Sequence, residues 1–229
     1  MMKIYLPIIA NDANPKHGLA VAYYHSEDVA NVSWFYQWGP GNGDSKCIPM
    51  SYSGDNPNLP ADYSGWLMVF NEPDNMPPFG SGITPKVAAD KYNLLRLSYP
   101  NAKLEVGNVT LDGLHWLIDF KALISSPPDA WGMHAYFMQS TLDAENKLTN
   151  AHNVLGGQFW ITEWADISGN VASNDTFREW LDKQSWIDRW AYFTNRATRD
   201  ESWWPKNWKT QLWNMDGMIT NIGTWFLNN

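Results

Sequence analysis

Eight short apolar runs, set apart by turns and amphipathic stretches, place the strongest limit on what this chain can fold into. They cover residues 18–24, 32–38, 46–52, 66–71, 103–109, 130–137, 158–164 and 190–195. Most are continuously apolar rather than alternating, as strands buried on both faces of a parallel sheet should be. Between the later runs the apolar period changes to that of a helix. Thr84 reads as an N-cap and Pro85 as the first helical residue, with Ala88, Tyr92, Leu95 and Tyr99 on one face and a stop before Pro100. Further helices are expected over 113–124, 141–155 and 176–188. Strand–helix alternation at these lengths requires right-handed crossovers and a parallel sheet.

The first half breaks this rhythm. Only residues 39–45 separate the second and third runs, and their sequence Gly-Pro-Gly-Asn-Gly-Asp-Ser cannot be helical. Residues 53–65 carry Pro57, Pro60, Gly54 and Gly65 and leave room for one helical turn at most. The expected fold is therefore an α/β (β/α)8 barrel, compact, a single domain over 1–229, with reduced helices in its first half. A doubly wound open sheet is the competitor. No Gly-x-Gly-x-x-Gly follows the first run to support a nucleotide-binding version of it.

Charge and composition narrow the function. With 16 Lys+Arg against 24 Asp+Glu the net charge is −8, and no basic cluster offers a phosphate-binding face, so a nucleic-acid partner is not expected. The 15 Trp stand out. An indole offers a broad apolar face and one N–H donor, which suits a half-dry, half-polar surface such as a sugar. Many of these rings must also serve as core; roughly half in each role is the expectation. Cys47 is alone, so no internal disulfide can form. The apolar run at the start is too short for a secretory leader or a bilayer span, and no other stretch approaches membrane length, so no membrane partner is expected. His17, His25, His115, His134 and His152 show no metal-ligand spacing, and neither a metal nor a cofactor is expected.

Two glutamates carry the chemistry. Asn71-Glu72-Pro73 follows the apolar run 66–70, and Thr162-Glu163-Trp164 follows Phe159-Trp160-Ile161. Both sit at the C-terminal ends of strands, where barrel active sites are built. A charge there must be paired or functional, because burying it alone costs several kcal/mol, as a rough figure. Glycoside hydrolysis uses such a pair, one carboxyl giving a proton to the leaving oxygen and the other attacking the anomeric carbon. Alone, each tripeptide is equally a strand ending in a turn. Their joint placement on the fourth and seventh runs gives them weight.

These segments resemble clan A of the glycoside hydrolases, and more closely glycoside hydrolase family 128, small catalytic-core barrels of endo-β-1,3-glucanases. The likeness rests on His17-Gly18-Leu19-Ala20, Val32-Ser33-Trp34-Phe35-Tyr36-Gln37-Trp38-Gly39, Ile48-Pro49-Met50 and Phe70-Asn71-Glu72-Pro73-Asp74. It continues through Met133-His134-Ala135-Tyr136, Trp160-Ile161-Thr162-Glu163 and Asp188-Arg189-Trp190-Ala191-Tyr192-Phe193. It implies Glu72 as acid/base, Glu163 as nucleophile and Asn71 on the sugar 2-hydroxyl. It further implies Tyr136 on the nucleophile carboxylate, with His134 beside it and Trp38 and Trp164 as stacking platforms. The chain departs from the family pattern at Ala135, at Tyr52 and over 75–82, positions that line the mouth.

The alternatives stay open at this level. His134 is either a sugar contact or a hydrogen-bonded interior histidine. Trp34, Tyr36 and Trp38 share one face, which is either the lumen or the helix side. Trp160 is expected to pack on the side opposite Glu163, and Arg189 to anchor the last strand through an ion pair. The segment 203–213 is either a loop over the cleft or an apolar staple. The expected protein is an extracellular, monomeric, retaining endo-hydrolase of β-1,3-glucan with a polysaccharide or oligosaccharide as partner. The alternatives are a carbohydrate-binding barrel without turnover and the same mechanism on another β-linked polysaccharide.

Overall fold

A computed structural model describes residues 14–197 and 207–229. Eight parallel strands form one sheet: β1 (His17–Ala20), β2 (Trp34–Tyr36), β3 (Met50–Ser51), β4 (Trp66–Val69), β5 (Lys103–Val109), β6 (Ala130–Phe137), β7 (Phe159–Asp166) and β8 (Ile187–Phe193). Their order is β2-β1-β8-β7-β6-β5-β4-β3. The two outer strands meet through a bridge between Phe35 and Cys47, with Phe35 N–H donating to Lys46 O at 3.0 Å and Ile48 N–H to Phe35 O at 2.8 Å. The result is a nearly closed (β/α)8 barrel, and the open-sheet alternative is set aside.

Helices α1 (Pro85–Ser98), α2 (Leu114–Lys121), α3 (Leu142–Leu155) and α4 (Val171–Lys183) follow β4 to β7, and α5 (Asn221–Leu227) follows β8. None follows β1, β2 or β3, and after β2 and β3 the proline- and glycine-rich gaps required this. In α1 the Thr84 hydroxyl accepts from Val87 N–H, Pro85 opens the helix, and Ala88, Ala89, Tyr92 and Leu95 are buried. The fourth helix lies five residues earlier than expected. Asn170 caps it by accepting from Ala172 and Ser173 N–H at 2.9 and 3.2 Å, and the chain is extended at Gln184. Strand β8 accordingly starts at Ile187 rather than Trp190. The third strand shrinks to Met50–Ser51, because Cys47 makes only an isolated bridge. Helix α5 was not expected; it buries Ile222, Trp225 and Phe226, and the Phe226 ring lies 4.5 Å from that of His17.

Apolar side chains fill two layers. One lies between the strands and the helices, and the other fills the barrel interior. In the interior Trp160 lies 5.2 Å from Trp34 and 4.5 Å from Trp66, with the Arg189 guanidinium 4.6 Å from its ring centre. Trp160 thus lies on the same side as Glu163, against expectation. The register of β7 slips against β8 between Ile161 and Trp164, and such a bulge turns the following residues to the other face. Arg189 meets aromatic rings where an ion pair was expected.

Candidate active site

The C-terminal ends of the strands form a cleft of about 730 Å³, within the range of small-ligand sites. Glu72 and Glu163 both line it, together with Trp38, Asn71 and Tyr136. Positive φ at Phe70 (71°) and Glu72 (38°) turns the chain sharply past β4. The residues after it fold back onto that turn. Ser81 N–H donates to Asn71 O at 2.9 Å, and a side chain at Gly80 would meet Glu72 O at 2.1 Å, so this position needs glycine.

His134 on β6 joins the two glutamates. Its Nδ1 lies 2.8 Å from Glu72 Oε1 and its Nε2 3.5 Å from Glu163 Oε1. One oxygen of each carboxylate and a nitrogen of His134 fall within 4.8 Å of one another. Glu163 accepts from Tyr36 Oη and Trp38 Nε1, both at 2.9 Å to Oε1, and from the Tyr136 hydroxyl on Oε2. Glu72 Oε2 accepts from Asn75 Nδ2 at 2.8 Å. The Trp34-Tyr36-Trp38 face is therefore the lumen.

The charges depend on one another. Burial disfavours a charged His134, yet Glu163 and Glu72 beside it raise its pKa above the ordinary histidine value. Burial also works against ionised Glu72, but the hydrogen bond and charge of His134, with the Asn75 amide, hold it below the usual carboxylate range. Burial pushes Glu163 up. His134 opposes that shift, the Glu72 charge adds to it, and the Tyr136 and Tyr36 hydroxyls oppose it. Both shifts favour an imidazolium at His134 paired with an ionised Glu72, with the proton on the Nδ1 side of their contact.

The same three residues have the composition of a metal site. Both ring nitrogens of His134 face carboxylate oxygens, however, and Glu163 already accepts three hydrogen bonds. That arrangement suits a shared proton better than an ion.

The structure brings Glu72, Glu163, Asn71, Trp38, His134 and Tyr136 together. Trp164 is the exception. Its ring is wholly buried outside the barrel, 5.5 Å from Phe177 and from Trp190 and 5.2 Å from Tyr192. The bulge that turns Glu163 inward turns Trp164 outward, so it packs and does not stack on a ligand. Asn71 donates to Phe79 O at 3.3 Å, and its buried Oδ1 has no partner among the described residues. Two contributors were given no role from sequence, Tyr36 on the nucleophile candidate and Asn75 on Glu72, while Tyr52, expected at the mouth, and Trp208 form cleft wall. Alternation with Trp38 could have found Tyr36. Of the tryptophan-rich segment, Trp208 lines the cleft 4.5 Å from the Tyr136 ring and Trp213 is buried, whereas Trp203 and Trp204 lie outside the described residues.

Beneath the pair, Glu105 is fully buried, and burial raises its pKa to about 8 from an ordinary 4.5, with the Asn108 amide and His134 offsetting only part of the shift. The folded chain therefore holds one more proton than the unfolded chain between these two values. The stability from this group is complete below about pH 4.5 and is lost as pH rises towards about 8. Glu105→Gln is uncharged throughout. Relative to the parent it is expected to gain stability between those pH values, by a few kcal/mol at most on the order-of-magnitude scale of such shifts. Thermal melts of both proteins at the two pH limits check this. An equal Tm difference at both would mean that Glu105 is already ionised in the fold.

A family profile described as glycosyl hydrolase catalytic core matches residues 11–226. No curated protein matches the chain in sequence. Among solved structures, a family 128 subgroup V exo-β-1,3-glucanase from Cryptococcus neoformans is 24% identical, over 93% of this chain and 98% of that one, with a TM-score of 0.71. A subgroup IV endo-β-1,3-glucanase from Lentinula edodes is 20% identical, over 93% and 100%, with a TM-score of 0.75. A subgroup VII oligosaccharide-binding protein from Trichoderma gamsii is 17% identical, over 99% and 97%, also at 0.75. No helix among the described residues is long and apolar enough to cross a membrane. With the profile spanning nearly the whole barrel and the fold shared with family 128 proteins, this chain belongs to the glycosyl hydrolase catalytic-core family.

Proposed function

We propose that this chain hydrolyses β-1,3-glucan internally and with retention of configuration, Glu163 acting as nucleophile and Glu72 as acid/base. The observation that carries the reading is the approach of the two carboxylates to within 4.8 Å, oxygen to oxygen, across His134. Retaining enzymes hold their carboxyl groups about 5–5.5 Å apart, and inverting ones need about 6.5–9.5 Å to admit a water.

In the first step a Glu163 oxygen bonds to the anomeric carbon as the glycosidic C–O bond breaks. The departing oxygen takes a proton from Glu72, which has received it from His134 Nδ1 across their 2.8 Å contact. In the second step Glu72 removes a proton from water, the water oxygen bonds to the anomeric carbon, and Glu163 leaves as the carboxylate. Tyr36, Trp38 and Tyr136 keep three donors on Glu163, which stabilise it as an anion before attack and as a leaving group afterwards. Asn71 Oδ1 is available to a sugar hydroxyl, and Trp38 offers its ring as cleft wall. Internal cleavage is supported by the span of the cleft across the mouth, from Tyr23 after β1 to Asp112 after β5. No cofactor enters the scheme, and a secreted monomer suits a polymeric substrate.

A second reading, binding without turnover, draws on the oligosaccharide-binding protein of the same fold. A panel of polysaccharides separates the two. Laminarin and curdlan should yield a ladder of short β-1,3-oligosaccharides, and proton NMR of the early products should show the β-anomer. Binding to laminarin without new reducing ends supports the second reading, and early α-anomer rules out retention.

A further inference from the structure

Asn108 lies on β5, a strand that carries neither catalytic carboxylate, yet it bonds to both strands that do. It is fully buried and adopts φ 49°, at a register slip of β5 against β6 between Val106 and Val109. Asparagine tolerates that left-handed conformation better than most residues. Its Nδ2 donates to Phe70 O at 2.9 Å, more weakly to Val69 O at 3.4 Å, and to Glu105 Oε2 at 3.1 Å. Its own carbonyl accepts from Glu72 N–H at 2.9 Å. On the other side its Oδ1 accepts from Thr162 Oγ1 at 2.5 Å, and Thr162 precedes Glu163 at the β7 bulge.

Three features make this more than a satisfied buried amide. The β4–β5 register ends at Val69–Val106, so the turn that carries Asn71 and Glu72 lies beyond the ladder. Asn108 supplies hydrogen bonds there from both its side chain and its backbone. The second link spans an intervening strand, β6. It can do so because residue 132 is glycine: a side chain there would meet Asn108 Oδ1 at 2.5 Å and Glu105 Oε1 at 1.8 Å. Third, the Thr162 carbonyl also accepts from Tyr36 Oη at 3.2 Å, the hydroxyl that donates to Glu163. The bulge is thereby held from two sides.

We propose that Asn108 is the positioning residue that fixes the separation of the two carboxylates, tying the Phe70–Glu72 turn to Thr162 across the barrel interior. The inference rests on the roles given above to Glu72 and Glu163. Asn108 touches no substrate, so its loss should act on turnover rather than on binding.

The test compares parent, Asn108→Ala, Asn108→Asp, Thr162→Val and the Asn108→Ala/Thr162→Val double variant on laminarin. Parent activity is measured first: a parent without turnover defeats the assigned function, and only an active parent tests the inference. Misplacing a reacting group by about 1 Å can cost about 100-fold. Asn108→Ala is therefore expected to lower kcat by about 100-fold with KM within about twofold, and Thr162→Val by about tenfold. The double variant should be little worse than Asn108→Ala, because both substitutions remove the same link. Asn108→Asp keeps the acceptor for Thr162 and should recover about tenfold of the alanine loss. Folded Asn108→Ala with parent kcat overturns the proposal, as do losses that multiply in the double variant or losses confined to KM. If Asn108→Ala does not melt cooperatively, the near-isosteric Thr162→Val decides by its kcat against KM alone: a fall in kcat supports the link and an unchanged kcat overturns it.

Discussion

Glu163→Ala is expected to lower kcat on laminarin by about 10⁴- to 10⁶-fold, the scale seen when a covalent nucleophile is removed. The fold should survive. Glu163 is buried, burial opposes its charge, and its main partners are hydroxyl and indole donors that the cleft can rehydrate. Removing a carboxylate also leaves space beside His134, so a small anion can enter. Azide supplied to this variant with an activated aryl β-glucoside should attack the anomeric carbon from the vacated side and give the α-glycosyl azide. An inverted azide product is what separates a lost nucleophile from a lost binding residue. Parent-like turnover, or activity that azide leaves unchanged, would remove Glu163 from the role.

Glu72→Ala is expected to cost about 10²- to 10⁴-fold on the polysaccharide, the usual contribution of general acid–base catalysis. The loss should depend on the leaving group. A glucan chain leaves as an alkoxide unless protonated, whereas a dinitrophenolate leaves without help. On the activated substrate the first step should remain fast and the covalent glycosyl-enzyme should accumulate, because the base for its hydrolysis is missing. Azide then reacts from the opposite side and gives the β-glycosyl azide. A burst of dinitrophenol followed by a slow steady rate checks this; equal losses on both substrates would deny Glu72 the acid role. The pH profile of the parent should follow the proton shared with His134. The His134 pKa is raised above its ordinary value by the two carboxylates, so the alkaline limb should lie above that value and should move in Glu72→Ala, where one of the two is gone.

The sequence carried the barrel and the meeting of the two glutamates in one cleft because both leave local signals. Continuous apolar runs marked the strands, glycine and proline marked the missing helices, and Asn-Glu-Pro and Thr-Glu stood at the ends of their runs. What it concealed was register. A one-residue bulge at 161–164 reverses the faces of the residues around it, so Trp164 read as cleft wall and Trp160 as outward packing, and each proved the reverse. The fourth helix was misplaced because Asn170, behind a glycine, gave a weaker visible signal than the apolar residues after it. Asn75 and Asn108 were missed for another reason. Their significance lies in contacts to residues fixed only by the fold, and an asparagine in a loop or strand has many ordinary explanations.

The join between β2 and β3 closes the barrel with one bridge, Phe35–Cys47, fewer paired residues than any other neighbouring strands share, the next shortest being the two pairs of β3 and β4. Few backbone bonds cross it, and no helix covers the connection. Local opening costs least where such bonds are fewest. The residues next to this seam, Tyr36 and Trp38, supply two of the three donors on Glu163, whereas Glu163 itself sits on β7 and Glu72 on the turn just after β4, both strands followed by helices. Breathing at the seam would therefore leave the two carboxylates in place and loosen only the hydrogen bonds around one of them. The barrel's sparsest joint thus bears on the hydrogen bonds that Glu163 accepts, and not on the distance between the two glutamates.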